Sequence, residues 1–121
     1  MQTISLILIG IVAFEHLYFL WLEMFVWETV GRKVFKGAMP DELFTPTKTM
    51  AGNQGLYNGF LAAGLIWSYF IKDPVWQQNV AEFFLICVIV AGIYGAWSVS
   101  KRIFFVQALP AILALISLFI W

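Results

Sequence analysis

Four apolar blocks dominate the chain: Ser5–Trp27, Asn53–Ile71, Val80–Val99 and Ile103–Trp121. Each approaches or exceeds the ~20 residues that a helix needs to cross a bilayer core. Spanning strands would need about ten residues each and a closed barrel, which this chain is too short to build. The pattern predicts an all-α fold, an integral membrane four-helix bundle forming a single domain over residues 1–121, with helices at about 3–27, 51–71, 76–99 and 103–121.

The connections refine this plan. The long first one, about Glu28 to Gly52, contains Gly31, Gly37, Pro40 and Pro46, which argue against one continuous helix. Pro40-Asp41-Glu42-Leu43-Phe44 reads as one interfacial turn, and Thr45-Pro46 as an N-cap followed by proline at the first helical position. Asp73-Pro74 repeats that signal ahead of the third helix, and Pro110 is expected to bend the fourth. The opening Met-Gln-Thr lacks the basic region of a secretory signal, so the first block is expected to be a retained helix.

Lysine and arginine set the expected orientation. Arg32, Lys33, Lys36 and Lys48 in the first connection and Lys101 and Arg102 in the third oppose Lys72 alone, six against one. Those two connections should face the cytoplasm, with both termini outside. Trp27 and Trp97 then sit at the inner interface, with Trp76 and Trp121 at the outer one. Small residues at four-residue spacing, Gly55/Gly59/Ala63, Gly92/Ala96 and Ala91/Gly95, suggest close helix approach.

Composition narrows the function. Of 121 residues, 62% are hydrophobic and 12% charged, with mean hydropathy +0.87 and formal net charge zero. The lipid bilayer is the expected partner. No basic run or aromatic–basic interleaving points to nucleic acid. The single cysteine, Cys87, excludes an intrachain disulfide. No HExxH, paired-cysteine spacing or phosphate-cradling glycine loop is present, and no cofactor is indicated.

Against this apolar background the polar residues stand out, because charged and amide groups inside a span are costly and face an interior or a cavity. They are Glu15, His16 and Glu23 in the first helix, Asn53, Gln54, Tyr57 and Asn58 in the second, Tyr94 in the third and Gln107 in the fourth. Counted along the helices, most fall in the cytoplasmic half. Gln54 comes level with Glu23, and Asn58 lies about 6 Å deeper by helical rise. His16 and Glu23 share a face about 10 Å apart, while Glu15 points about 100° away from His16. Glu15, His16, Glu23, Gln54, Asn58, Tyr94 and Gln107 are therefore the candidate ligand- or ion-binding residues.

His16 titrates near neutral pH and suits a proton carrier or a metal ligand. It is the best single metal candidate, although a zinc site would have to recruit carboxylates from separate turns or a second copy of the chain. A His16–Cys87 pair is the weaker option beside Cys87 as a small apolar core residue. The bland alternatives are an interhelical hydrogen bond from His16 to Asn58 or Glu15, a neutral Glu15 bonded to a neighbouring helix, and amides serving only as interhelical glue.

Several blocks resemble one family. Glu15-His16 with Leu22-Glu23-Met24-Phe25, the stretch Asn53-Gln54-Gly55-Leu56-Tyr57-Asn58-Gly59-Phe60-Leu61-Ala62, Gly92-Ile93-Tyr94-Gly95-Ala96 and Gln107-Ala108-Leu109-Pro110-Ala111 resemble the DUF1304 family of small bacterial membrane proteins. The likeness covers nearly the whole chain. Trp97-Ser98 departs from it, where a threonine is expected nearby. The resemblance implies a four-span, multi-pass protein of the bacterial inner membrane and carries no activity, substrate or catalytic residue with it.

The leading expectation is a protein that binds or transports a proton, cation or small polar ligand, in a cavity open to the cytoplasmic half. The small size of one copy suggests a homodimer. The alternatives are an intramembrane enzyme acting on a lipid-soluble substrate through Glu15, His16 and Tyr94, and an accessory subunit in which the polar cluster only fixes packing.

Overall fold

The computed structural model describes residues 1–120, so the predicted belt position of Trp121 lies outside the described residues. The chain is all-α, with no strand among the described residues. Its five α-helices are α1 (Thr3–Met24), α2 (Arg32–Val34), α3 (Lys48–Ser68), α4 (Pro74–Ser98) and α5 (Leu109–Ile120). Two of them, α1 and α4, are long and apolar enough to cross a membrane.

Helix α1 turns Ser5, Ile9, Val12, His16 and Glu23 inward at three-, four- and seven-residue steps. Ile4, Ile7, Ile11, Phe14, Tyr18 and Trp21 form its exposed stripe. The helix stops at Met24, short of the expected Trp27, because Val26 leaves helical geometry at φ −133° and ψ 28°. A π-helical turn, Trp27–Gly31, follows and leads into α2. Gly31 is required there, since a Cβ would come within 3.0 Å of the Trp27 ring. Gly37 adopts φ +87°, open to glycine at no steric cost, and Asp41–Leu43 form the expected turn as a short 3-10 helix.

The two Thr/Asp-Pro signals end differently. Asp73 caps α4 as predicted, its carboxylate accepting from the Trp76 amide at 2.9 Å with Pro74 at the first position. Thr45 does not cap α3, which begins at Lys48. Its hydroxyl donates instead to Glu28 Oε2 at 3.1 Å, so a partner distant in sequence wins over the local cap. The fourth predicted helix is interrupted: a π-helical turn, Phe104–Ala108, precedes α5, and the Leu109 amide donates to the Phe104 carbonyl. Pro110 supplies the reason, since it has no N–H to donate and its ring clashes with the carbonyl four residues back. The wider turn absorbs that clash.

The chain divides into two compact units, one of Met1–Phe14 with Leu61–Trp121 and one of Glu15–Phe60. The first has an apolar core of Ile9, Val12, Ala13, Leu65, Ala81, Leu85, Val88, Ala111, Ala114 and Leu118. Gly92 lets the backbone around Ala108 come close, because a Cβ there would sit 2.8 Å from the Ala108 nitrogen. Ser5 donates to the Ser117 carbonyl at 3.1 Å, and the two hydroxyls lie 3.0 Å apart.

The second unit is closed by a corner around buried Phe44. Trp27 lies against Phe44 and Phe35 with ring centroids 5.2 and 5.5 Å away, and the Arg32 guanidinium stands 5.2 Å over the Phe44 ring. The Trp27 indole donates to Thr47 at 3.1 Å. Arg32 pairs with Asp41 at 2.8 Å and Lys48 with Glu28 at 3.2 Å.

Candidate functional site

The site is built within Glu15–Phe60, where α1 and α3 pack at contact distance. Gly55 and Gly59 make the approach possible. A Cβ at Gly55 would lie 2.8 Å from Met24 Cγ and 3.2 Å from the Leu20 carbonyl, and one at Gly59 would lie 2.4 Å from Leu20 Cδ1. Ala63, predicted to continue this run, is exposed; Ala51, on the Gly55 side of α3, is buried.

At this crossing Glu23 is 6% exposed, and Asn58 Nδ2 donates to its Oε1 at 2.7 Å. Helical rise alone placed Gln54 level with Glu23, whereas the structure makes Asn58 the partner and leaves Gln54 exposed. The reason is the lean of helical side chains towards the helix N-terminus, so a residue covers the turn before its own Cα. Asn58 reaches back over Gly55 to the carboxylate.

His16 is fully buried and meets the Phe19 ring edge-on, with centroids 5.5 Å apart and planes at 78°. Glu15 is half-buried, and its Oε1 is buried without a hydrogen-bond partner. Asn53 and Tyr57 are exposed. Tyr94 and Gln107 belong to the other unit. Tyr94 is exposed in an apolar groove with Val90, Ile93 and Trp97, and Gln107 is half-buried in the π-helical turn before α5.

Among the described residues no three His, Cys, Asp or Glu side chains gather into a set that could hold a metal ion. His16 therefore lacks the companions that a zinc centre needs. The serines that showed no base partner in the sequence prove to be helix back-bonders. Ser68, Ser98 and Ser117 donate to the carbonyls of Leu65, Tyr94 and Ala114.

Two polar features escaped the sequence reading. Glu82, within the third apolar block, accepts from Gln78 at 2.7 Å. The signal that singled out Glu15, a carboxylate inside an apolar stretch, was present there too. The second is the Glu28 corner, where Lys48 foremost and the Thr45 hydroxyl next hold the Glu28 carboxyl below its usual range.

Comparison with known proteins adds a family and no chemistry. The family model described as "Protein of unknown function (DUF1304)" matches residues 10–119. The uncharacterized protein YpaA of Lactococcus lactis subsp. lactis (strain IL1403) is 33% identical over 120 residues, covering 98% of this chain and 99% of that protein. No solved structure matches.

Proposed function

The chain belongs to the DUF1304 family of proteins of unknown function, and we propose that it is a four-span protein of the bacterial inner membrane that binds, and passes on, a proton, small cation or small polar ligand at Glu23 and its neighbours.

The membrane reading rests on what the helices expose. Thirty-four large hydrophobic side chains are exposed against fifteen buried hydrophobic ones, the reverse of a water-soluble core. The apolar windows of α1 and α4 are only 28% and 22% buried, whereas a soluble core helix would be mostly covered. The exposed tryptophans mark the helix ends: Trp21 near Met24, Trp67 beside Ser68, Trp76 just after Pro74 and Trp97 beside Ser98. An aromatic belt at two interfaces has this distribution. Helix α3, of 21 residues, and the apolar stretch Phe104–Ile120 supply the other two spans. The six-to-one bias of Lys and Arg puts the Glu23 end of α1 at the cytoplasmic side.

Glu23 carries the functional reading. It is a nearly buried carboxylate held by one amide, and no lysine or arginine among the described residues pairs with it. Such a group is neutralised by taking up positive charge. His16 lies on the same face of α1, two turns towards the membrane centre, and is suited to exchange a proton.

The test is reconstitution into liposomes with an internal pH-sensitive dye and an imposed pH or cation gradient. Gradient dissipation is expected from the wild-type protein, at least a tenfold loss from Glu23→Gln, and a flux no longer dependent on pH from His16→Ala. Wild-type vesicles as tight as empty ones under every gradient would remove the transport reading.

A further inference from the structure

The chemistry around Glu23 goes further than a generic polar site. Asn58 spends its Nδ2 on Glu23 Oε1, and no hydrogen bond engages Glu23 Oε2 or Asn58 Oδ1. Gln54, one turn before Asn58 on the same side of α3, adds a further amide without a side-chain partner. The groups left over at this crossing thus include a carboxylate oxygen and amide carbonyl oxygens. These are hard donors, which suit alkali and alkaline-earth cations rather than soft metals.

Helix polarity reinforces the donor set. Glu23 stands in the last turn of α1, where the final carbonyls lack intrahelical partners and the helix presents its negative end. A carboxylate is disfavoured in that position and a cation favoured, yet the last turn of α1 contains no basic residue. Glu23 is also more than nine-tenths buried, so this is an enclosed negative position rather than an acidic surface.

The charge count selects the valence. One carboxylate neutralises one positive charge, and the next acidic residues on α1 do not join it in any metal-ligating group. A divalent ion would leave net charge buried at the crossing, a state that costs several kcal/mol. We infer that Glu23, Asn58 and Gln54 form a binding site for a hard monovalent cation of the sodium class at the cytoplasmic turn of α1. This inference rests on the reading of Glu23 as a site for a positively charged species and names which species it takes.

The experiment is equilibrium binding of radioactive sodium to the detergent-solubilised full-length protein, with thermal unfolding followed in sodium, lithium, potassium or choline chloride at one ionic strength and several pH values. Saturable sodium binding, lost in Glu23→Gln and weakened at least fivefold in Asn58→Ala, is expected. Sodium should also raise Tm by several degrees over choline, and the gain should shrink as acid brings protons to compete for the same oxygens. The Tm difference between salts is read within each variant, so a less stable Glu23→Gln protein still reports. No saturable sodium binding together with equal Tm in sodium and choline overturns the cation site. If proton flux in liposomes still depends on Glu23 in that case, the broader reading stands with the proton alone; if that flux is absent too, both fail.

Discussion

The same two helices, α1 and α3, contribute to both compact units, and they contribute opposite chemistry. In Met1–Phe14 with Leu61–Trp121 they deliver Ile9, Val12, Ala13 and Leu65 to an apolar core, and the buried hydroxyls of Ser5, Ser68 and Ser117 all find carbonyl partners. In Glu15–Phe60 they deliver His16, Glu15 and Glu23 with few compensating contacts: Glu23 holds one hydrogen bond, and one oxygen of Glu15 is buried with none. A buried polar network that is fully satisfied rigidifies a structure, whereas one left partly open is kept for something that occupies it. The first unit is built for packing and the second for exchange.

The largest effect should come from forcing bulk into the packed unit. Gly92→Leu places its first side-chain carbon 2.8 Å from the Ala108 backbone, so a loss of about 3 kcal/mol or outright failure to fold is expected, read from reversible unfolding in mixed micelles. A variant of near wild-type stability would mean that the first unit does not depend on close approach. Asn58→Leu comes next. It strips Glu23 of its only hydrogen bond and should cost about 2 kcal/mol on the same scale, with altered flux in liposomes. If stability falls and flux is untouched, the polar unit is structural and the contrast disappears.

Ser117→Ala tests the packed unit more gently. It removes a donor 2.6 Å from the Ala114 carbonyl and should cost about 1 kcal/mol with flux unchanged. A flux defect in this variant would blur the division between the units. The smallest effect belongs to the corner. The Glu28 carboxyl is held below its usual range by Lys48 and Thr45, so its stabilising contribution is complete above the ordinary carboxylate range. That contribution fades as pH falls through the lowered value. Glu28→Gln should flatten this acid limb of the Tm–pH profile while barely moving Tm at neutral pH. An unchanged acid limb would show that the exposed pair contributes nothing measurable.

These contrasts were unevenly legible in the sequence. Asp73-Pro74 marked the start of α4 because its cap partner, the Trp76 amide, is local. Thr45-Pro46 has the same appearance and failed because Glu28, seventeen residues earlier, competes for the hydroxyl. The polar residues of the second unit could be named from the cost of placing them in apolar blocks, but their pairing could not be read from axial rise. Rise places Cα atoms, while the backward lean of side chains decides that Asn58 and not Gln54 meets Glu23. Glu82 went unnoticed because attention followed convergence at one end of the bundle. The end of α1 at Met24 was hidden because Phe25, Val26 and Trp27 continue the apolar run while the backbone has already left the helix.

The π-helical turn at Phe104–Ala108 has a consequence for how this chain can change in length. Such a turn accommodates one residue more than an ordinary helical turn, so everything downstream of it is phased by that extra residue. Deleting any single residue between Phe104 and Ala108 would restore a regular spiral up to Pro110 and rotate the rest of α5 by about 100°. Ala111, Ala114 and Leu118, now inward, would swing to the outside, and bulkier neighbours would face the narrow approach to α4. Point substitutions along α5 that keep small residues small should be absorbed, whereas insertions and deletions in this one turn should act like a slipped gear tooth, displacing a whole face at once.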